Sequence, residues 1–327
     1  MNVSFPATCL PRSSGTNYFH GESMTERLPF RLGSRFATVE EAMSDDFLRL
    51  TRIFDQLAVD FNLPDHADVN RQRYPWSLPY LSSPSLYAAR MWEYPYAVKA
   101  AKIGPSHRCA DIGCGMTPFT IFLAREIQCD VVGVDPDVFP KGIHYKGHGV
   151  SREFLERTGL NIVQGGMEQL PLAGESMDRV FCLSVIEHLP PAIARAGIQE
   201  MARVLKNGGR AVITVDVNLL TEISRPLDLV WDSGLYPVGQ LDLRWPRERF
   251  GVFCDELQPA DVYGLVLEKD DYLVRTAYAQ EAGLPELVPS STIPLLRKNF
   301  GSTSVASKPR SFLRRVAARI RRTWRCG

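Results

Sequence analysis

The chain has 327 residues, 45% of them apolar and 23% charged, enough for one large α/β domain with extensions or two modest domains. A formal net charge of +1 indicates by itself no polyanionic partner. The charge is unevenly spread, however: no Asp or Glu follows Glu286, where ten Lys and Arg lie, so the preceding body carries 28 basic against 37 acidic groups.

Residues 1–36 are rich in Ser, Thr, Pro, Gly and Arg without periodicity and are expected to form a loose arm. A helical extension is expected over 37–103. Within it Phe47, Leu48, Leu50, Ile53, Phe54, Leu57 and Val59 recur near a 3.6-residue period, which predicts an amphipathic helix from Val39 to Phe61. Four prolines make 62–84 irregular, and a second helix is predicted from Ser85 to Ile103, interrupted or kinked near Pro95.

The main domain is placed at 104–286. Arg108–Ile112, Val131–Asp135, Asn161–Gln164, Arg179–Ser184 and Ala211–Asp216 are short apolar runs rich in Val and Ile, with helices fitting at 118–128, 151–158 and 191–206. That alternation predicts a doubly wound α/β fold with a mostly parallel sheet covered on both faces. Ser151 and Gly159 suit the start and stop of the second of these helices; Pro191 suits the start of the third and Asn207-Gly208 its end. Residues 218–260 read as a substrate-side insertion, and Val262–Leu267 with Tyr272–Tyr278 as a hairpin. A linker at 287–309 and a basic amphipathic tail at 310–327 complete the chain.

The seven cysteines are scattered without a Cys-x-x-Cys pair, which indicates neither a zinc cluster nor a disulfide framework, but reduced thiols in a cytoplasm. Residues 1–15 lack the pattern of a secretory signal, and no uninterrupted apolar run is long enough to span a membrane. His144 and His148 are four apart, but Gly142, Gly147 and Gly149 argue against a helix that would align them, so no metal site is expected.

Directly after the first strand of the main domain stands Ala110-Asp111-Ile112-Gly113-Cys114-Gly115-Met116-Thr117-Pro118. Gly113 and Gly115 allow a sharp turn and close approach of a ligand to the main chain. A dinucleotide loop would need glycine at 118, where Pro118 stands, with Thr117 before it as a helix cap. The pair crowds the approach a pyrophosphate needs, and Asp111 would repel it. A phosphate-free nucleoside cofactor, S-adenosyl-L-methionine, needs no such approach, and Asp111 can accept a hydrogen bond from its amino-acid end. Asp135, 20 residues beyond Gly115 at the end of the next strand, can accept both ribose hydroxyls. A turn with no ligand and a turn-forming Asp before Pro136 are the bland alternatives.

From Arg108 to Asp216 the sequence resembles the class I S-adenosylmethionine-dependent methyltransferase superfamily, in its type 11 branch, which includes the quinone-biosynthesis methyltransferases. The resemblance rests on the glycine loop, Val134-Asp135, Gly166-Met167-Glu168-Gln169-Leu170-Pro171-Leu172, Ser176-Met177-Asp178-Arg179-Val180, Ser184-Val185-Ile186-Glu187-His188-Leu189 and Glu200–Gly209, in that order. It implies a Rossmann-like sheet of seven strands ending in a hairpin. It also implies cofactor contacts at Asp111, Gly113, Gly115, Asp135, Met167, Glu168 and Ser184. Two departures stand out: the family's third loop glycine is Thr117, and the Asp that usually meets the adenine amino group is Gly166, leaving the Met167 backbone and Glu168 to serve the adenine edge.

His188, just past the fourth of these strands, is the first candidate for a general base on a hydroxyl acceptor. Glu187 is read as orienting the loop or cofactor, and Asp216 as a weaker base candidate. Trp231, Tyr236 and Trp245 in the insertion suit either a flat ring or sugar, or a satellite core; Arg244 and Arg247 suit a phosphate. The run Arg90–Ala97 is similar to methyltransferases of polysaccharide synthesis and points to a glycan or nucleotide-sugar acceptor. In the tail, Phe312, Leu313, Val316, Ile320 and Trp324 share a helical face flanked by arginines, which suits peripheral contact with an anionic membrane or, less well, an RNA backbone. Three functions compete: methylation of a small molecule or glycan at oxygen, a scaffold that binds the cofactor without transfer, and RNA methylation.

Overall fold

The computed structural model of the protein describes residues 30–63, 89–139, 149–217, 229–230, 233–242, 244, 252–254 and 258–269. In chain order the elements are strand β1 (Gly33–Phe36), helices α1 (Val39–Ala42), α2 (Asp45–Asp60) and α3 (Arg90–Ala101), β2 (Arg108–Ile112), α4 (Pro118–Phe122, continued by a π-helical turn Leu123–Ile127), β3 (Asp130–Asp135), α5 (Arg152–Thr158), β4 (Asn161–Gln164), β5 (Met177–Leu183), α6 (Pro191–Val204), β6 (Leu205–Val217), β7 (Leu235–Pro237), β8 (Gln240–Leu241), β9 (Val252–Cys254) and β10 (Gln258–Lys269).

The strands form one sheet in the order β4-β3-β2-β5-β6-β10-β1-β8, with β7 and β9 also paired to β10. β2 to β6 are mutually parallel, and β10 runs antiparallel to β6 from Asp261↔Val217 to Glu268↔Arg210. From β2 the chain winds outward to β3 and β4, then returns to lay β5 on the other side of β2. That reversal puts a crevice at the carboxyl ends of β2 and β5, where doubly wound sheets bind ligands.

The parallel strands are near-continuous apolar runs because both faces are covered: Val180, Phe181 and Cys182 of β5 and Val212 and Ile213 of β6 are fully buried. On one face α6 presents Ala194, Ile198 and Met201. The other face is covered by α2, α3 and α4, where Phe54 packs between Tyr94 and Phe122 at 5.0 and 4.6 Å between ring centroids. The helices before residue 104 thus share the main core.

The sequence expectation of one helix over 39–61 is modified by a break at Met43-Ser44. The last four residues of the expected loose arm are β1, pairing with β10 at Arg35↔Gly264 and Phe36↔Tyr263. Alternation was hard to see in so short a strand, but Ser34 and Phe36 are buried, and the Ser34 hydroxyl accepts from the Val266 amide at 3.0 Å. The sheet therefore exceeds seven strands. The expected 218–260 insertion supplies β7, β8, β9 and the start of β10, and β9 (Val252–Cys254) pairs antiparallel with that start. The expected strand 272–278, the linker and the basic tail lie outside the described residues.

Ser151 and Gly159 bound α5 as expected: the serine hydroxyl accepts from the Phe154 amide at 3.1 Å, and Gly159 is left-handed. α6 instead stops at Val204, and Asn207-Gly208 lies within β6. There a register shift between Met177 and Arg179 of β5 accommodates the extra residues.

α3 is buried over nearly its whole length despite Pro95 inside it. Trp92 and Tyr96 stack at 4.3 Å, and the Tyr96 ring lies so close to β10 that a Cβ on Gly264 would approach it to 2.3 Å. Trp92 donates to Glu41 at 2.8 Å and the Tyr96 hydroxyl to the Gly33 carbonyl at 2.9 Å. At the other end Arg210 and Arg179 donate to the carbonyls of Ala100 and Ala101 at 2.8 and 2.6 Å, satisfying acceptors a helix terminus leaves open.

Candidate active site

The turn after β2 is built on glycine for two reasons. Gly113 and Gly115 are left-handed, with φ of 69° and 51°, and a Cβ on Gly113 would lie 2.5 Å from the Val185 side chain of the neighbouring strand end. The Gly113 amide donates to the Val134 carbonyl at 2.7 Å, tying the turn to β3. Thr117 has the extended backbone of a cap, but its hydroxyl donates to the Cys114 carbonyl at 3.1 Å rather than accepting from α4, which Pro118 starts. The expected side-chain cap is therefore absent: the hydroxyl closes the glycine turn instead.

Asp135 ends β3 with one carboxylate oxygen accepting from the Gly115 amide and the other from the Asp137 amide, both at 2.9 Å. Burial raises its carboxyl above the ordinary range, and the two amides oppose that rise. Asp111 is 3% exposed and accepts from the Thr120 hydroxyl at 2.6 Å. Burial pushes it up to about 7 against the pull of Thr120; Asp135 adds to the rise and Arg90 opposes it. The structure thus brings Asp111, Gly113, Gly115 and Asp135 together at the sheet's carboxyl edge.

Met167 and Glu168 occupy a 3₁₀ turn after β4. The Met167 side chain is buried against Gly197 of α6, where a Cβ would lie 2.1 Å from its methyl, so only its backbone is available to a ligand. Glu168 is exposed and folds back over Gly166: its carboxylate oxygens lie 2.6 and 2.7 Å from where a Cβ on Gly166 would stand. The space an aspartate side chain would take at 166 is filled by this carboxylate.

Ser184, just past β5, is left-handed (φ 49°), an uncommon state for a residue with a side chain. Its amide donates to the Thr214 carbonyl and hydroxyl at 3.1 and 3.2 Å, and its own hydroxyl donates to Glu93 at 2.5 Å. Glu93 is fully buried and paired with Arg90, both on α3. Arg90 also lies over the Tyr94 ring, 5.6 Å from its centroid. Sequence reading missed Arg90, Glu93 and Thr120 as members of this site. The available signal was an arginine and a glutamate three apart in a stretch otherwise rich in aromatic and small residues.

His188 closes a 3₁₀ turn and is exposed, whereas the adjacent Glu187 turns inward. Both Glu187 carboxyl oxygens are shut off from solvent and find no hydrogen-bond partner outside their own residue among the described residues. Burial pushes this carboxyl well above the usual range, with Asp216 and Glu93 adding to the rise and Arg90 opposing it. Asp216 sits near the end of β6, 8% exposed. Of the insertion residues, Arg244 is exposed and ion-paired to Asp242 at 2.6 Å, and Tyr236 pairs with β10. Trp231, Trp245, Arg247, His144 and His148 lie outside the described residues.

Residues 110–213 match the family model described as a methyltransferase domain. It is 30% identical over 122 residues to the methyltransferase GfsG of Streptomyces halstedii, covering 34% of this chain and 38% of that protein. It is 32% identical over 104 residues to the tRNA U34 carboxymethyltransferase of Desulfotalea psychrophila, covering 32% of this chain and 31% of that one. The matches thus span 38% and 31% of the two relatives. Among solved structures, the TehB-like SAM-dependent methyltransferase from Corynebacterium glutamicum is similar at 17% identity and a TM-score of 0.39, over 63% of this chain and 98% of that one.

Proposed function

We propose that the protein transfers a methyl group from S-adenosylmethionine to an oxygen of a small-molecule, glycan or nucleotide-sugar acceptor. The observation that carries this reading is the Asp135 carboxylate bonded to the Gly115 amide at 2.9 Å, which sets an acid for a ribose diol against a phosphate-excluding glycine turn. The residues present suit the donor. Asp135 keeps further lone pairs on both oxygens for the diol, Asp111 and the turn serve the amino-acid end, and Glu168 with the Met167 backbone serves the adenine edge. Ser184, held by Glu93 and Thr214, shapes the floor between β2 and β5.

When bound, the donor supplies a sulfonium methyl open to in-line displacement. The protein's own task is then to orient both reactants and exclude water. α3 contributes to that exclusion by closing Arg90, Glu93 and Tyr94 over the strand ends. The match of residues 110–213 to a methyltransferase-domain model and an acid-rich crevice support this reading over that of a binding scaffold.

Calorimetric titration of the full chain with S-adenosylhomocysteine tests the pocket. Incubation with methyl-tritiated S-adenosylmethionine and the small-molecule fraction of a cell extract tests transfer. No heat on titration rejects the cofactor; binding without labelled product makes the protein a scaffold. The tRNA-modifying relative favours RNA as the second acceptor class, and label recovered in RNA rather than in small molecules would establish it. For the basic tail we propose peripheral contact with anionic lipid; flotation with phosphatidylserine vesicles, indistinguishable between the full chain and residues 1–308, would reject it.

A further inference from the structure

We propose that Glu187, rather than His188, receives the acceptor's proton during methyl transfer. The inference rests on the transferase reading above and adds a catalytic residue to it.

Glu187 follows β5 at the carboxyl edge of the sheet, beside the crevice between β2 and β5. A buried carboxyl with neither oxygen partnered is costly and needs a reason, and nothing within the described residues supplies its hydrogen bonds. An acceptor that displaces the cover over these oxygens as it enters the crevice does: its O–H can donate to a Glu187 oxygen. His188 faces outward and is exposed, so water has access to its ring. The groups around Glu187 are Asp216 on β6, Glu93 and Arg90 on α3, and Cys182 on β5, which senses Glu187 in turn. Acids outnumber the single arginine, so the pocket holds a proton tightly until a positive charge arrives.

The balance of the step follows. The new O–CH₃ bond forms as the S–CH₃ bond breaks, the electron pair of that bond stays on sulfur, and the hydroxyl proton moves to the Glu187 carboxylate. A sulfonium in the site favours ionised Glu187 beforehand. Loss of that charge during transfer restores its affinity for a proton, so proton uptake and methyl loss reinforce each other.

The test needs no turnover. The full-length protein is titrated at pH 7 with S-adenosylmethionine and, separately, with neutral S-adenosylhomocysteine, in phosphate and in Tris, whose different ionisation heats report protons released. Wild type should release more protons with the sulfonium ligand, the excess approaching one. Glu187→Gln should abolish the excess while keeping S-adenosylhomocysteine affinity within threefold. An excess that persists in Glu187→Gln assigns it to another group, such as Asp111, and overturns the inference; so does equal release by both ligands in wild type. Should Glu187→Gln fail to fold, Asp216→Asn serves, because removing that negative charge should shrink the excess at pH 7, and an unchanged excess overturns the inference. In label transfer, Glu187→Gln should lower kcat by about 100-fold or more with the donor KM little changed, and His188→Asn should stay within threefold. The reverse ranking overturns the inference alone, whereas absence of heat with both ligands overturns the cofactor reading beneath it.

Discussion

The Gly115 amide donates to the Asp135 carboxylate at 2.9 Å, so the turn after β2 is fastened to the end of β3 by the residue assigned to the ribose. On the proposed assignment, shaping the pocket and filling it depend on the same side chain. Asp135→Asn keeps one acceptor oxygen where two are used. Affinity for S-adenosylhomocysteine should fall about 10- to 100-fold, the range of a hydrogen bond to a charged group. Calorimetry measures it, and affinity within twofold of wild type would remove Asp135 from the site.

Gly166→Ala separates folding from recognition. The atoms nearest the new methyl belong to the free end of Glu168, which can swing away, so stability should change by less than about 0.5 kcal/mol in urea denaturation. Ligand affinity should nonetheless drop, as it should in Glu168→Ala. If Glu168→Ala binds S-adenosylhomocysteine like wild type, the carboxylate over Gly166 has no part in adenine recognition.

Gly113→Ala should behave differently. A left-handed alanine costs roughly 1–2 kcal/mol, and the approach of its Cβ to Val185 adds overpacking of about 1–3 kcal/mol. Denaturant melts should show that loss even without ligand.

Asp111 makes stability depend on pH. Its folded value of about 7 exceeds the ordinary 3.8, so the native state binds the proton more tightly than the unfolded chain does. The resulting stabilisation is complete below about pH 4 and is lost as pH rises through 7. Asp111→Asn, neutral throughout, should flatten this slope and make the ligand-free protein more stable than wild type at pH 8. Melting temperatures at pH 5, 6, 7 and 8 report it; parallel curves for the two proteins would contradict the assignment.

Phe54→Ala should cost about 3–5 kcal/mol, because the ring is fully buried against Tyr94 and Phe122 in the core shared with the sheet. Unfolding should remain a single transition followed alike by circular dichroism and tryptophan fluorescence. A separate early transition would mean that α2 folds as an independent unit.

The parallel half of the fold was legible because its signals are local. Alternating apolar runs, the Ser151 and Gly159 boundaries of α5 and the glycine turn each sit within a few residues. Asp111 and Asp135 could be named from strand ends alone. What escaped was non-local: β1 is four residues long and acquires meaning only beside β10, and Thr120 reaches Asp111 across the start of α4. Glu93 meets Ser184 across 91 residues, a distance no periodicity spans. Thr117 holds the cap position expected of it before Pro118, but its hydroxyl can serve either the helix or the turn, and it closes the turn. The inward turn of Glu187 beside an exposed His188 likewise depends on a 3₁₀ bend that two adjacent polar letters do not specify.

The pairing of Arg35 with Gly264 also bears on biogenesis. The earliest of the described strands to leave the ribosome must wait for one made more than two hundred residues later, and until then Ser34 and Phe36 lack that cover. Contacts so distant along the chain slow folding, leaving an unpaired edge during synthesis. Refolding should accordingly be slowed more by substitutions along β10 than by equally destabilising ones in α5.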